Sequence, residues 1–354
     1  MTRRSVFGRA ALSVALVLLF CLVPLLSSCA RFPAKRYAKV IDGPFDTGTQ
    51  LVIYTRNASD AAAFFERFEN GLSDWDELAD IYYEYDGLNN LRTLNLSAGI
   101  APVELDPRLL DLLEFGLSMR EATGGRVDLL LGSVLSLWHA CREAGLDDPE
   151  HARIPTDEEL AEAGEISRRA TLEIDRDAGT AYLPIAGSSV DVGAFAKGYA
   201  TETICREMET LGYTDFAANV GGNLRTSGTA AGKPWELSVR DPNGEGTVRS
   251  VARDGSVALA TSGSYQRFYT VNGVRYHHIV DPDTNAPAAL GWTSVSVLTA
   301  DAGVADVLST ALFLLGYEEG VSLLSGAFAP VSAFWIADDG TTYAVGAFAE
   351  GGGS

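Results

Sequence analysis

The sequence predicts an α+β protein, with mixed or antiparallel sheets and helices packed against them, following a cleaved signal segment. Three observations carry this. Strand-like and helix-like stretches are intermixed without the regular βαβ alternation of a doubly wound sheet. "TLEIDRDAGTAYLPI" and "SAFWIADDGTTYAVGAF" each fold back on an Asp- and Gly-containing turn, as antiparallel hairpins do. The 354 residues are 47% hydrophobic and 9% aromatic, a globular composition in a chain long enough for a substantial core.

Taken in order, "TGTQLVIYT" (47–55) is a β run, and 60–85 continues with helical periodicity. "NNLRTLN" is polar and loop-like. "DPRLLDLLEFGLSMREATGG" opens on Asp-Pro and stops on Gly-Gly, good helix punctuation, and "VDLLLGSVLSLWHACREAG" extends as apolar helix. Residues 146–166, acidic and holding Pro149 and Pro155, read as a surface excursion. A helix follows at 193–213, then strands in "WELSVRDP", "SVALATSGS", "YTVNGVRYHHIVDP" and "WTSVSVLT", and a helix in "AGVADVLSTALFLLG".

The N-terminus belongs outside the fold. Arg3, Arg4 and Arg9 precede an apolar run from Ala10 to Leu25, and "LSSC" ends on Cys29 after small residues. This is a secretory signal with a lipoprotein-type box. The expected organisation is a signal peptide at 1–28, lipidation at Cys29, a tether over 29–45, one folded domain over 46–349 and a disordered tail at 350–354. The body then sits at the extracytoplasmic face of the membrane, held by a lipid anchor. Cys141 and Cys205 are left in the body, either paired or as two buried thiols. A net charge of −20 argues against sequence-independent nucleic-acid binding, which needs a basic face.

The chemistry-bearing stretches begin with "DVGAFAKGYA" (191–200). Only four lysines occur, Lys35, Lys39, Lys197 and Lys233, so Lys197 at a helix start marks a place for a compact ammonium. Unpaired N–H groups and the helix dipole there favour an anion. "NVGGNLRTSG" (219–228) is a second glycine-rich bend, "ATSGSYQRFY" (260–269) sets small polar residues before aromatics, and "YHHIVDPDTN" (276–285) ends a strand in a His-Asp-Pro turn. Asp306 and Thr310 stand four residues apart, on one face of an apolar helix. Two hard oxygen donors so placed suit Mg²⁺; a backbone-satisfied Asp with a Thr bonded to its own helix is the plainer account.

In this order the five stretches resemble the ApbE family of FAD:protein FMN transferases. "TGTQLVI", "YYEYDGLNNLRTLN" and "GGRVDLLLGSVLSLW" are similar to that family's N-terminal segments, so the resemblance spans about Thr47 to Phe348. It implies a T-fold-related α+β fold and a Mg²⁺-dependent enzyme. FAD is its substrate, and its partner is an exported flavoprotein that accepts FMN on a Ser or Thr while AMP leaves. Hydrolysis of FAD to FMN and AMP, or flavin binding without turnover, are the alternatives. By matched position, the resemblance implies metal ligation by Asp306, Thr310 and the Ala194 carbonyl. It places Asp191, Lys197 and Ile279 against the flavin nucleotide, with Lys197 and His278 assisting transfer. Thr47 falls near the isoalloxazine, and Arg126, Val127 and Asp128 near the adenosine or ribose.

Overall fold

In the computed structural model, which describes residues 34–326 and 328–350, the N-terminal half runs β1 (Lys35–Asp42), β2 (Gly48–Thr55), α1 (Ala58–Ala79) and α2 (Leu91–Leu96). Then come β3 (Val103–Glu104), α3 (Pro107–Ala122), α4 (Gly132–Asp147), α5 (Asp157–Arg169), β4 (Glu173–Asp175) and β5 (Thr180–Tyr182). The second half opens with α6 (Ala196–Thr210), β6 (Phe216–Val220), β7 (Asn223–Ser227), β8 (Trp235–Arg240), β9 (Thr247–Arg253) and β10 (Val257–Gly263). It continues through β11 (Phe268–Val271), β12 (Val274–His277), β13 (Val280–Asp281), β14 (Ala286–Pro287) and β15 (Trp292–Thr299). It closes with α7 (Ala302–Phe313), α8 (Tyr317–Ser325), β16 (Ser332–Ala337), β17 (Thr342–Val345) and α9 (Ala347–Glu350).

Eight strands form one sheet in the order β1-β2-β6-β7-β10-β15-β16-β17, with every neighbouring pair antiparallel. Both faces of its centre are covered, which is why β15 is buried almost continuously rather than at alternate residues. Ala258, Ala260, Val295, Val297 and Trp335 face the helical layer, against Leu308 and Leu312 of α7. Leu259, Leu298, Phe334 and Ile336 point the other way, onto Leu237 and Val251 of the β8–β9 hairpin. The larger core lies under α1, α3 and α6.

Three local readings change. Lys35–Asp42 is not tether but the edge strand β1, in register with β2 from Lys35↔Thr55 to Asp42↔Gly48. Lys39, on the same face as Tyr37 and Ile41 and paired with Glu69 of α1, together with the exposed Ala38 and Val40 opposite, hid the alternation. "NNLRTLN" holds the short helix α2, whose start is fixed reciprocally by the Asn90 side chain and Thr93. Within the acidic 146–166 stretch, Thr156 and Glu159 form a capping box and α5 runs on to Arg169. Cys141 and Cys205 are both free and buried, in separate apolar clusters. Among the described residues no helix is long and apolar enough to cross a membrane. The signal segment, Cys29 and residues 351–354 lie outside the described residues.

Candidate active site

The site is built where α6 crosses α7. Gly198 makes the approach possible, because a Cβ there would lie 2.3 Å from the Ala302 carbonyl oxygen and 2.5 Å from Asp306 Cβ. The closeness is used twice. The Gly198 N–H in the first turn of α6 donates to Asp306 Oδ2 at 2.9 Å, and the Ala302 N–H at the start of α7 donates to Glu202 Oε2 at 2.8 Å. Each helix thus lends a carboxylate to the other's unpaired N-terminal donors.

Asp306 is buried, and burial pushes its carboxyl up against the pull of Lys197, the Gly198 N–H and the Asn223 side chain. Asp191 accepts from the Gly193 N–H at 2.8 Å. Desolvation raises its carboxyl too, opposed by that bond, His139 and Lys197. The Lys197 charge therefore bears on both carboxyls, one from the loop before α6 and one from α7. Thr310 shares a face with Asp306, and its Oγ1 lies 3.0 Å from Ser262 Oγ on β10.

The helix start is less open to an anion than its sequence implies. Phe195 and Ala196 N–H groups bond the Val192 carbonyl at 3.0 and 2.8 Å, and Gly198 is spent on Asp306. Anion attraction at this turn rests mainly on the Lys197 side chain.

The two adjacent histidines divide their work. His277 is fully engaged, since Nε2 donates to the Ala288 carbonyl at 2.9 Å and Nδ1 accepts from the Ile279 N–H at 3.2 Å. His278 is exposed, and its Nδ1 lies 3.2 Å from the Arg267 carbonyl. A carbonyl only accepts, so Nδ1 carries the proton and Nε2 keeps its lone pair. Partial desolvation, then the Arg267 and Lys197 charges, hold the imidazole below its usual value, so it is neutral at pH 7.

A divalent cation fits this donor set. Asp306 supplies a carboxylate short of positive charge and Thr310 a hydroxyl. The Ala194 carbonyl is released because Gly198, four residues on, turns its N–H to Asp306 instead. Asn223 Oδ1, at the head of β7 beside Asp306, is buried without a hydrogen-bond partner. All four are hard oxygen donors, as Mg²⁺ prefers. Among the described residues there is no group of three or more His, Cys, Asp or Glu side chains placed to hold a metal. A single-carboxylate site leaves coordination positions for phosphate oxygens and water.

The remaining expected residues lie on the margins. Thr47 packs on Gly221, whose positive φ of 56° makes the tight β6–β7 turn leading to Asn223. Arg126 pairs with Asp283 at 2.6 Å, joining its loop to the turn after His278. Asp128 pairs with Arg120 at 2.8 Å and caps the Leu130 N–H. Val127 and Ile279 are buried among apolar neighbours. Two groups were absent from the sequence-derived set. One is Asn223. The other is Tyr82, stacked on His139 with ring centroids 4.6 Å apart and close enough to Asp191 for that charge to help raise its hydroxyl to about 12, after desolvation.

Comparison with known proteins bears on what this site is. The ApbE family model matches residues 45–335. The FAD:protein FMN transferase of Treponema pallidum is 35% identical over 268 residues, 70% of this chain and 71% of that protein. The Vibrio cholerae FAD:protein FMN transferase is 29% identical over 270 residues, 75% of this chain and 78% of that one. Among solved structures, the ApbE protein of Thermotoga maritima superposes with a TM-score of 0.78 at 25% identity, over 90% of this chain and all of that one. The flavin transferase ApbE from Vibrio cholerae gives 0.72 at 25% identity, over 90% and 99%. On the extent of the match and the shared architecture, this chain belongs to the ApbE family.

Proposed function

We propose that this protein is a Mg²⁺-dependent FAD:protein FMN transferase, which moves the FMN half of FAD onto a Ser or Thr hydroxyl of an exported flavoprotein and releases AMP. The observation that carries this reading is the α6–α7 crossing, where the Gly198 N–H, one residue after Lys197, donates to the buried Asp306 Oδ2 at 2.9 Å beside the unpartnered Asn223 Oδ1.

Asp306, Thr310 and the Ala194 carbonyl would hold the cation, with Asn223 Oδ1 as a fourth donor. When bound, Mg²⁺ neutralises diphosphate oxygens and the charge growing on the leaving AMP. Lys197 adds a point charge beside it, on a flexible stem that follows the phosphates as their geometry changes. His278 Nε2 takes the acceptor's hydroxyl proton while the hydroxyl oxygen bonds the flavin-side phosphorus and the phosphorus bond to the AMP oxygen breaks. An anionic diphosphate near Lys197 and Arg267 offsets the cations that hold the imidazole down, so the ring becomes a stronger base when substrate is bound. Arg126 and Asp128 line the adenosine side, and Thr47 the flavin side.

The basic n-region, apolar run and "LSSC" box support export and lipidation at Cys29. With β1 starting at Lys35, only residues 30–34 separate the anchor from the fold, a reach of at most about 18 Å.

The test is to incubate the protein with FAD, Mg²⁺ and an acceptor that the Vibrio cholerae relative labels, then read flavin fluorescence on a denaturing gel. Covalent label on the acceptor is expected, and Asp306→Ala should lower it by about 10³-fold or more. Near-normal labelling by that variant removes the metal assignment. FMN and AMP without label indicate a hydrolase, and bound FAD without either product a carrier.

A further inference from the structure

We infer that the acceptor docks as an extended, acid-flanked segment along the free edge of β12, which brings its hydroxyl to His278. This deepens the transferase reading and rests on it.

Among the described residues β12 pairs with β11 alone, through a two-residue Asn272–Gly273 turn with φ of 51° and 82°. The His278 N–H donates to the Arg267 carbonyl at 3.1 Å, on the β11 side. Backbone groups alternate in direction along a strand, so Val274 and Tyr276 also face β11, while Arg275 and His277 turn their N–H and C=O away from it. That outer edge leads straight into the proposed base. A segment hydrogen-bonded along it runs past His278 with residues about 3.3 Å apart, fine enough spacing to set one hydroxyl at Nε2.

The hairpin is a firm platform. Tyr276 stacks on Trp138 with centroids 5.8 Å apart, and the buried Tyr269 donates through its hydroxyl to the Arg153 carbonyl at 3.1 Å. The Arg275 guanidinium lies over the Phe268 ring, 4.7 Å from its centroid, on a face of the hairpin rather than across its edge. β12 is four residues long and offers two outward-facing residues, Arg275 and His277, with no proline and, among the described residues, no covering strand.

Charge selects the occupant. The chain has 47 acidic residues and a net charge of −20, yet none falls between Asp254 and Asp281, a span that includes Arg267 and Arg275. Arg275 on the strand and Arg267 beside His278 give this edge positive charge, partly offset by Asp338, which bears on His277, so an acidic segment is repelled less here than by the rest of the molecule.

Hydrogen–deuterium exchange on the unaltered protein, with the acceptor labelled by the Vibrio cholerae relative as probe, reads the edge directly. The Arg275 and His277 amides should slow about tenfold or more on adding acceptor, while Tyr276, already bonded to β11, changes little. Arg275→Pro removes one outward donor and leaves the β11 ladder intact; it should raise KM for the acceptor about tenfold, with FAD affinity within about twofold of the unaltered protein. Arg275→Glu, which keeps the backbone donor, should also raise KM, and added salt should narrow its gap to the unaltered protein. Unchanged edge exchange with active transfer overturns this inference alone, as does an unchanged KM in both variants. Edge protection that grows with enzyme concentration and needs no acceptor assigns the edge to a second copy and overturns it too. No transfer by the unaltered protein overturns the transferase reading, and this inference falls with it.

Discussion

The two ends of the α6–α7 crossing start from the same geometry and are finished differently. At one end Glu202 of α6 caps the Ala302 N–H of α7; at the other Asp306 of α7 caps the Gly198 N–H of α6. Glu202 also meets Arg225 at 2.9 Å and Arg206 at 2.7 Å, and Arg206 continues to Asp301, the N-cap of α7, at 2.9 Å. Burial pushes the Glu202 carboxyl up, but Arg225, the Ala302 N–H and Arg206 together hold it below the ordinary range. Asp306 receives no guanidinium, and its carboxyl stays raised. At one end two guanidiniums meet the carboxylate; at the other the Lys197 charge alone bears on it and does not offset its burial. The first end fixes the crossing, and the second is thereby held open for chemistry.

The largest effect is expected at the finished end. Glu202→Ala leaves Arg225, which is almost fully buried, without its main counter-charge, and should cost about 3–5 kcal/mol in denaturant unfolding. Whatever fraction stays folded should still bind FAD. A loss below about 1 kcal/mol would mean that the crossing does not depend on this ion pair.

Next comes Gly198→Ala, which acts on both ends at once. Its Cβ would meet the backbone of α7 at 2.3 Å, so the helices must part. The cost should be about 1–3 kcal/mol, as for other overpacked sites. Because parting the helices lengthens the Gly198–Asp306 bond and moves Lys197 off the α7 carboxylate, Mg²⁺ affinity measured by calorimetry should fall as well. Lost stability with unchanged Mg²⁺ affinity would uncouple the crossing from the site.

How much of this could be read from sequence depended on whether the informative partner was near in the chain. Asp306 and Thr310 are one helical turn apart and Lys197 is one of four lysines, near its helix start, so spacing and composition marked them as candidates and the resemblance gave them roles. The β16–β17 and β4–β5 hairpins were legible from their turns. Glu202 and Arg225 look like ordinary surface charges in the sequence, because only folding brings them together. Asn223 was hidden for a related reason: its significance is an amide oxygen left without a partner, which only the assembled site reveals. Arg126 and Asp128 were placed by resemblance, and their pairing with Asp283 and Arg120 could not be foreseen locally. β1 was missed because an edge strand buries one side only, and α2 because its six residues give too short a window for periodicity.

The smallest effect is a contrast in pH dependence that tests the unequal charging itself. In the metal-free protein the Asp306 carboxyl lies above its unfolded value, near 3.9. A raised carboxyl gives stability that is fully present below the unfolded value and is lost as pH rises through the folded one. Glu202, held below its unfolded value, has the opposite sign: its stability is present above the unfolded value and is lost as pH falls through the folded one. Asp306→Asn keeps an oxygen for the Gly198 N–H but does not ionise. Its melting temperature should therefore gain on that of the unaltered protein between pH 4 and pH 8 in the presence of a chelator. Saturating Mg²⁺ should close or reverse the gap, because the cation stabilises only the protein that keeps its carboxylate. Glu202→Gln should show the reverse trend and no response to Mg²⁺ at this end. Parallel pH profiles for Asp306→Asn and the unaltered protein would mean that Asp306 already has a counter-charge within the fold, and the contrast between the two ends would disappear.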